Sequence, residues 1–136
     1  MANALYDKAR QKFLSGQLSW NTQNFKVVLV DVADYTVNLA THNTLADVPS
    51  AARVATSTNL GGMDNTAGVA DASDVTLSGV SGDQSEALVI YADLTGADTD
   101  KPLVAYIDSA TGLAITPNGG DIIVQWDNGA NKIFKL

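Results

Sequence analysis

His42 is the single histidine of the sequence, and no cysteine accompanies it. Without thiols the chain has no disulfide, no thiolate metal ligand and no cysteine nucleophile. The imidazole sits in the loop-like run "HNTLADVPSAAR" with no neighbouring acid or nucleophile motif, so a Ser-His-Asp relay lacks support and His42 reads as a loop residue. The stretch "DLTGADTD" sets Asp93, Asp98 and Asp100 within eight residues, a group of carboxylates that could face calcium. It departs from the EF-hand pattern, because no acid stands two residues after Asp100 and no closing Glu follows. A solvated loop is the expectation there. "GGMDNTAG" lacks the lysine and the strand-to-helix context of a phosphate-cradling loop. Fourteen of the fifteen acids are Asp, enough to form carboxylate pairs by chance, so pairing alone does not indicate glycoside cleavage. No catalytic residue, cofactor or metal site is expected from these residues. Trp20, Trp126 and Tyr106 are candidate stacking platforms for a sugar; Trp126 shares a strand face with Ile122 and Val124 and reads first as core.

The elements that would position these residues follow from composition and period. At 136 residues the chain suits one core. With 46% hydrophobic and 17% charged residues it is expected to fold, and the strong preference for Asp over Glu favours turns and loops over helix interiors. "ALYDKARQKFLS" places Leu5, Ala9 and Phe13 at i, i+4, i+8 with Tyr6 beside them, and predicts a helix over Ala4 to Ser15, with Asn3 as N-cap and Gly16 just past the end. From Phe25 onward the pattern is short β-rich runs bounded by turn residues. Strands are predicted near Phe25–Val37, Arg53–Thr56, Val75–Leu77, Ala87–Ala92, Leu103–Asp108, Ile122–Trp126 and Lys132–Leu136, with a weaker segment near Val69. A short helical turn is expected in the connection at residues 42–53, capped by Thr44 or Asp47 or started at Pro49. The two Asn-Gly dipeptides, Asn118-Gly119 and Asn128-Gly129, suggest positive-φ turns and a closing hairpin of Asp121–Trp126 with Lys132–Leu136. The expected class is mainly β, a β-sandwich or jelly roll with one N-terminal α-helix: an arm over residues 1–18 and a β domain over residues 19–136.

Charge and patterning bear on partners. The formal net charge is −7, and Lys8, Arg10 and Lys12 are three of only eight cations. The remaining body is too acidic to neutralise phosphates, so nucleic-acid binding is not expected. The longest apolar runs, "VVLV" and "ALVIYA", are far too short to span a membrane, and no signal-peptide stretch opens the sequence. A soluble protein made in the cytoplasm is expected. Residues 27–30, 87–92 and 103–107 are apolar on both pleat faces, which calls for a cover: the N-terminal helix, or a second copy in a homo-oligomer or a foreign partner.

"MANALYDKARQKFLSG", "RVATS", "GVADASDVTLSGVSG", "ALVIYADL", "LVAYIDSATGL" and above all "TPNGGDIIVQWDNGANKIFKL" carry a further signal. Together they span essentially the whole chain, and in them the sequence resembles small head decoration, or cement, proteins of tailed bacteriophages. It departs from that pattern at Ala114, where proline is expected. The resemblance implies a sandwich or jelly roll, made in the bacterial host cytoplasm, that binds the major capsid protein on the outside of the shell as a homodimer or homotrimer. The candidate interface residues are Leu5, Tyr6, Arg10 and Phe13 of the N-terminal segment. The alternative from another class is a carbohydrate- or receptor-binding virion module.

Overall fold

A computed structural model describes residues 3–136. Five strands, β1 (Ala4–Leu5), β2 (Phe25–Val30), β3 (Arg53–Thr56), β6 (Ala87–Ala92) and β7 (Leu103–Ile107), form one antiparallel sheet in the order β1-β7-β6-β2-β3. The two longest, β2 and β6, lie side by side from Phe25 opposite Ala92 to Val30 opposite Ala87. Their β-branched and aromatic side chains suit a pleated surface buried on both sides, and every residue of β6 is buried. Among the described residues the fold is mainly antiparallel strand with one α-helix, α1 (Asp7–Leu14), and four short 3-10 turns.

Both sheet faces are covered from within the chain. On one face stand Phe25, Val27 and Leu29 with Leu88, Ile90 and Ala92. Trp20 lies with its ring 4.6 Å from Phe25, and Leu29 and Leu88 line a cavity together with Ile122 and Val124. The opposite face, which carries Val28, Val89 and Tyr106, meets the connection at residues 31–52, where Tyr35 sits 6.4 Å from Tyr106 and Leu45, Val48 and Ala52 are buried. Apolar strand faces therefore give no reason to invoke a second copy, because alternate residues already have partners inside the fold.

The C-terminal hairpin expected from the Asn-Gly dipeptides does not form. β8 (Ile122–Val124) pairs with β5 (Val75–Leu77), and β9 (Phe134–Lys135) pairs with β4 (Val69–Ala70). Residues 69–77 thus serve as partner to both, with four residues between the two ladders on their side and nine, 125–133, on the other. A nine-residue excursion is too long for the two-residue loops that Asn-Gly chemistry favours. It is pinned elsewhere: the Trp126 N–H donates to Asp74 Oδ1 (2.9 Å), its indole N–H to Ser73 O (3.1 Å), and Ile133 N–H to Ala70 O (3.1 Å). Gly119 does adopt positive φ (+87°), whereas in the second turn the positive φ falls on Lys132 (+43°) and not on Gly129.

The amino-terminal segment also differs from expectation. Ala4 and Leu5 pair with Tyr106 and Ala105 as an edge strand, and the helix begins only at Asp7. Asn3 caps no helix; its Oδ1 accepts from the N–H groups of Asp108 and Ser109 and its Nδ2 donates to Ser109 O, which fastens the start of β1 to the end of β7. Asp7 occupies the first helical turn, where its charge suits the positive end of the dipole. Gly16, at φ +79°, ends the helix as expected. Leu5, Tyr6, Ala9 and Leu18 belong to the same core as β2, β6 and β7. β2 stops at Val30 rather than near Val37 because Asp31 turns the chain: its Oδ1 accepts the Ala33 N–H (2.9 Å) and its carbonyl the Asp34 N–H (3.2 Å). Ala114 follows a cis peptide bond from Leu113.

Candidate binding surface

Helix α1 presents Asp7, Lys8, Arg10, Gln11 and Leu14 to solvent and turns Ala9 inward. Residues 7, 10, 11 and 14 share one side of the helix by the i, i+3, i+4 rule. On that side Arg10 Nη1 donates to Asp7 Oδ1 at 2.8 Å, and Leu14 is 91% exposed. Phe13, on the neighbouring side, packs its ring 6.0 Å from Phe134 of β9, which in turn lies edge-on to Trp20 at 5.3 Å. The Lys12 ammonium donates to Asn43 Oδ1, and burial together with the nearby Lys8 charge lowers its pKa.

Of the four interface residues expected from sequence, only Arg10 is exposed. Leu5 and Tyr6 are in the core and Phe13 is half-buried. Leu5 fits a helical stripe and a strand face equally well by hydropathy, and the pairing with Ala105 decides for the strand. Leu14, which lies outside the Leu5-Ala9-Phe13 stripe, is the apolar side chain that the helix offers outward.

Tyr6 is held by a polar chain through the core. Its hydroxyl lies 2.9 Å from Tyr35 Oη, which lies 2.8 Å from His42 Nδ1, and the same nitrogen is 3.3 Å from the Asn38 N–H. An amide N–H can only donate, so Nδ1 accepts and the imidazole carries its proton on Nε2. Tyr35 therefore donates to His42, and Tyr6 donates to Tyr35. Burial, helped by the bond to Tyr35, raises the Tyr6 pKa well above the usual phenol range, and burial pushes Tyr35 up to about 12. The sole histidine is a hydrogen-bonded strut between loop and core.

The acids have similar structural employment. Asp93 receives Lys101 Nζ at 2.7 Å and Lys26 Nζ at 3.0 Å, and the Lys101 bond is the main cause that holds its carboxyl below the usual range. Asp98 accepts from Arg53 Nη1 at 2.8 Å, and Asp100 Oδ2 accepts the Ala97 N–H of its own turn. The three acids of "DLTGADTD" are thus parted among cations and a backbone cap. A different trio, Asp31, Asp34 and Asp83, has carboxylate oxygens within 4.8 Å of one another. It is invisible in sequence because Asp83 is far along the chain from the other two. Trp20, Trp126 and Tyr106 are all buried, and both indole N–H groups donate to backbone carbonyls, of Asp71 and Ser73. Trp20 and Tyr106 are enclosed in the core, while Trp126 lines the groove beside β8 with 9% of its surface exposed.

A groove of about 660 Å³ lies between the chain that follows β7 and the excursion after β8. Its rim carries Ser109, Thr111, Gln125, Asp127, Asn128 and Lys132. An adjoining cavity of about 260 Å³ continues it over Leu29, Leu88 and Ile122. Ile123, 62% exposed, stands between them. No protein-family model matches the chain, and no curated protein matches it with significance. No helix among the described residues is long and apolar enough to cross a membrane.

Proposed function

We propose that the protein is a non-enzymatic structural component of a tailed-bacteriophage head, made in the host cytoplasm and carried on the virion, where it binds the outside of the capsid and stabilises it. In this reading the five-stranded sheet is one layer of a β-sandwich or jelly roll and the β4-β9 and β5-β8 ribbons form the other. The partner is the major capsid protein, met by dimers or trimers at symmetry-related positions. Contacts between copies would use surfaces other than the sheet faces, which are already covered.

The observation that carries the reading is the contact between Phe13 and Phe134. It brings together two of the stretches that carry the resemblance, "MANALYDKARQKFLSG" and the end of "TPNGGDIIVQWDNGANKIFKL". Beside that contact α1 offers outward Leu14 and Arg10, which is paired with Asp7, and on another side Lys8, so that the helix carries net positive charge on a protein of net charge −7. An acidic face of the capsid subunit complements it, while the acidic body of the protein is repelled, which fixes orientation. Groups that could do chemistry hold the fold instead: His42 braces Tyr35, and Asp93 and Asp98 hold lysines and Arg53.

Stabilisation then needs only mass action. A copy that binds the assembled shell and not its separated subunits lowers the free energy of the shell alone, and many symmetric copies multiply the effect. The test is co-sedimentation of the purified protein with capsids stripped of it, followed by heating. Wild type should bind, less tightly as salt rises, and raise the rupture temperature. Arg10→Glu and Leu14→Asp, both at exposed positions, should bind weakly while melting like wild type. Absence of binding by the wild-type protein, or unchanged shell stability when it binds, rejects the proposal.

A further inference from the structure

We propose that Asn128 is a site of spontaneous intramolecular deamidation and that Asn118, in the same Asn-Gly dipeptide, is protected by the fold. The inference is independent of the capsid reading. In this reaction the backbone nitrogen of the following residue attacks the asparagine Cγ. A new C–N bond closes a five-membered succinimide, the Cγ–Nδ2 bond breaks, and the proton from the attacking N–H leaves with the side-chain nitrogen as ammonia. Water then opens the ring at either carbonyl, giving aspartate or isoaspartate. No oxidant or reductant is involved. Glycine is the least hindered following residue because it has no side chain over the attacking nitrogen. Both asparagines are exposed and both precede glycine, so sequence alone makes them equivalent.

The structure separates them by what holds the attacking nitrogen. The Gly119 N–H donates to Val80 O at 2.7 Å, and the Val80 N–H returns a bond to Gly120 O at 2.9 Å. Asn118 Oδ1 is itself held by the Gly120 N–H at 3.0 Å. For Gly119 N to swing towards Asn118 Cγ, this backbone pair and the side-chain bond must both open. At the second site the Gly129 N–H donates to Asp127 Oδ1 at 3.1 Å. Its acceptor is a carboxylate in the same exposed turn, able to take the proton as the nitrogen attacks and to move with it. Among the described residues none hydrogen-bonds the Asn128 side chain, which leaves it free to rotate. The product places a second carboxylate beside Asp127 on the rim of the groove that Lys132 also lines. Isoaspartate further lengthens the backbone of the 125–133 excursion by one methylene.

The experiment is incubation of the full-length protein at neutral pH and physiological temperature, with peptide mapping by fragmentation that distinguishes isoaspartate. Asn128 should convert to a mixture of aspartate and isoaspartate at least about tenfold faster than Asn118. In urea the two sites should convert at similar rates, since the fold no longer distinguishes them. Asp127→Ala, at an exposed position, should slow conversion at Asn128 on the order of tenfold and leave Asn118 unchanged. Equal rates in the folded protein, faster loss at Asn118, or a difference that persists in urea overturns the site assignment. An unchanged rate in a natively melting Asp127→Ala protein overturns the carboxylate's part in it.

Discussion

Tyr35 Oη stands between Tyr6 Oη at 2.9 Å and His42 Nδ1 at 2.8 Å, accepting from the first and donating to the second. The direction of this chain makes the two tyrosines unequal although each contributes one hydroxyl. Tyr35→Phe leaves the fully buried Tyr6 hydroxyl with a proton and no acceptor, and should destabilise the fold by about 1 to 3 kcal/mol. Tyr6→Phe removes only a donor to Tyr35, whose own proton still reaches His42, and should cost about 1 kcal/mol. The double variant should cost less than the sum, because both remove the same bond. Urea unfolding of the three proteins tests this, and a costlier Tyr6→Phe would reverse the assigned direction.

Arg53 offers a second contrast. Its Nε donates to Val48 O (2.8 Å), Nη2 to Leu45 O (2.7 Å) and Nη1 to Asp98 (2.8 Å), so one guanidinium fastens two 3-10 turns and a loop to the edge strand β3. Lysine can place a charge there but cannot supply three donors in a fixed fork. Arg53→Lys should therefore cost about 1 to 2 kcal/mol, and Asp98→Asn, which touches one half-exposed partner, under about 1 kcal/mol. Thermal melts of the two variants would show the larger loss for the conservative-looking change.

The expected pH profile falls at both ends. Lys101 and Lys26 depress the Asp93 pKa; Lys132 depresses that of Asp71; and for Asp47 the N–H groups of Asn43 and Thr44 outweigh an opposing effect of burial. A depressed folded pKa contributes stability that is present above the ordinary value of 3.8 and is lost as pH falls through the folded values. Tyr35 and Tyr91, pushed up to about 12 mainly by burial, behave oppositely: their contribution is complete below the ordinary value of 10.0 and disappears as pH rises towards 12. Melting temperature should thus drop steeply below about pH 4 and again above about pH 10. A flat alkaline limb would mean that these phenols are hydrated in the folded protein.

How much of this was legible in sequence varied with the range of the interaction. β3, β5 and β6 occupy the residues that β-propensity and bounding turns indicate, since those signals are local. Gly16 at the helix end, and the short turns starting at Leu45 and after Pro49, were legible for the same reason. The pairing of β8 and β9 was not, because Asn-Gly chemistry describes a turn and says nothing of residues 69–77, some fifty positions away, which offer a better inward face in Val75 and Leu77. Leu5 was ambiguous because apolar spacing suits either element until Ala105 is set beside it. On the candidate surface the cations of α1 could be read directly, but the exposure of Leu14 depended on which helix side Phe134 would claim.

The two Asn-Gly turns also separate on substitution, in a way opposite to what their shared sequence implies. Gly119 lies at φ +87° with nothing near the place a Cβ would occupy, so its penalty is purely conformational. Gly119→Ala should cost about 1 kcal/mol, and a β-branched valine more, because the left-handed region is unfavourable for side chains and worst for branched ones. Gly129 has an ordinary φ, and an added Cβ would meet only Asp127 Oδ2, at 2.9 Å, the far end of an exposed side chain that can turn away. Gly129→Ala should therefore melt within about 0.5 kcal/mol of wild type. The register of β8 would feel the first change and not the second, since Gly119 N–H is bonded to Val80 O close to the Leu77–Ile122 pair. Hydrogen exchange should show faster exchange of the β5 and β8 amides in Gly119→Ala and native protection in Gly129→Ala. Equal losses in the two variants would place a positive-φ requirement at Gly129, contrary to its ordinary φ in the fold.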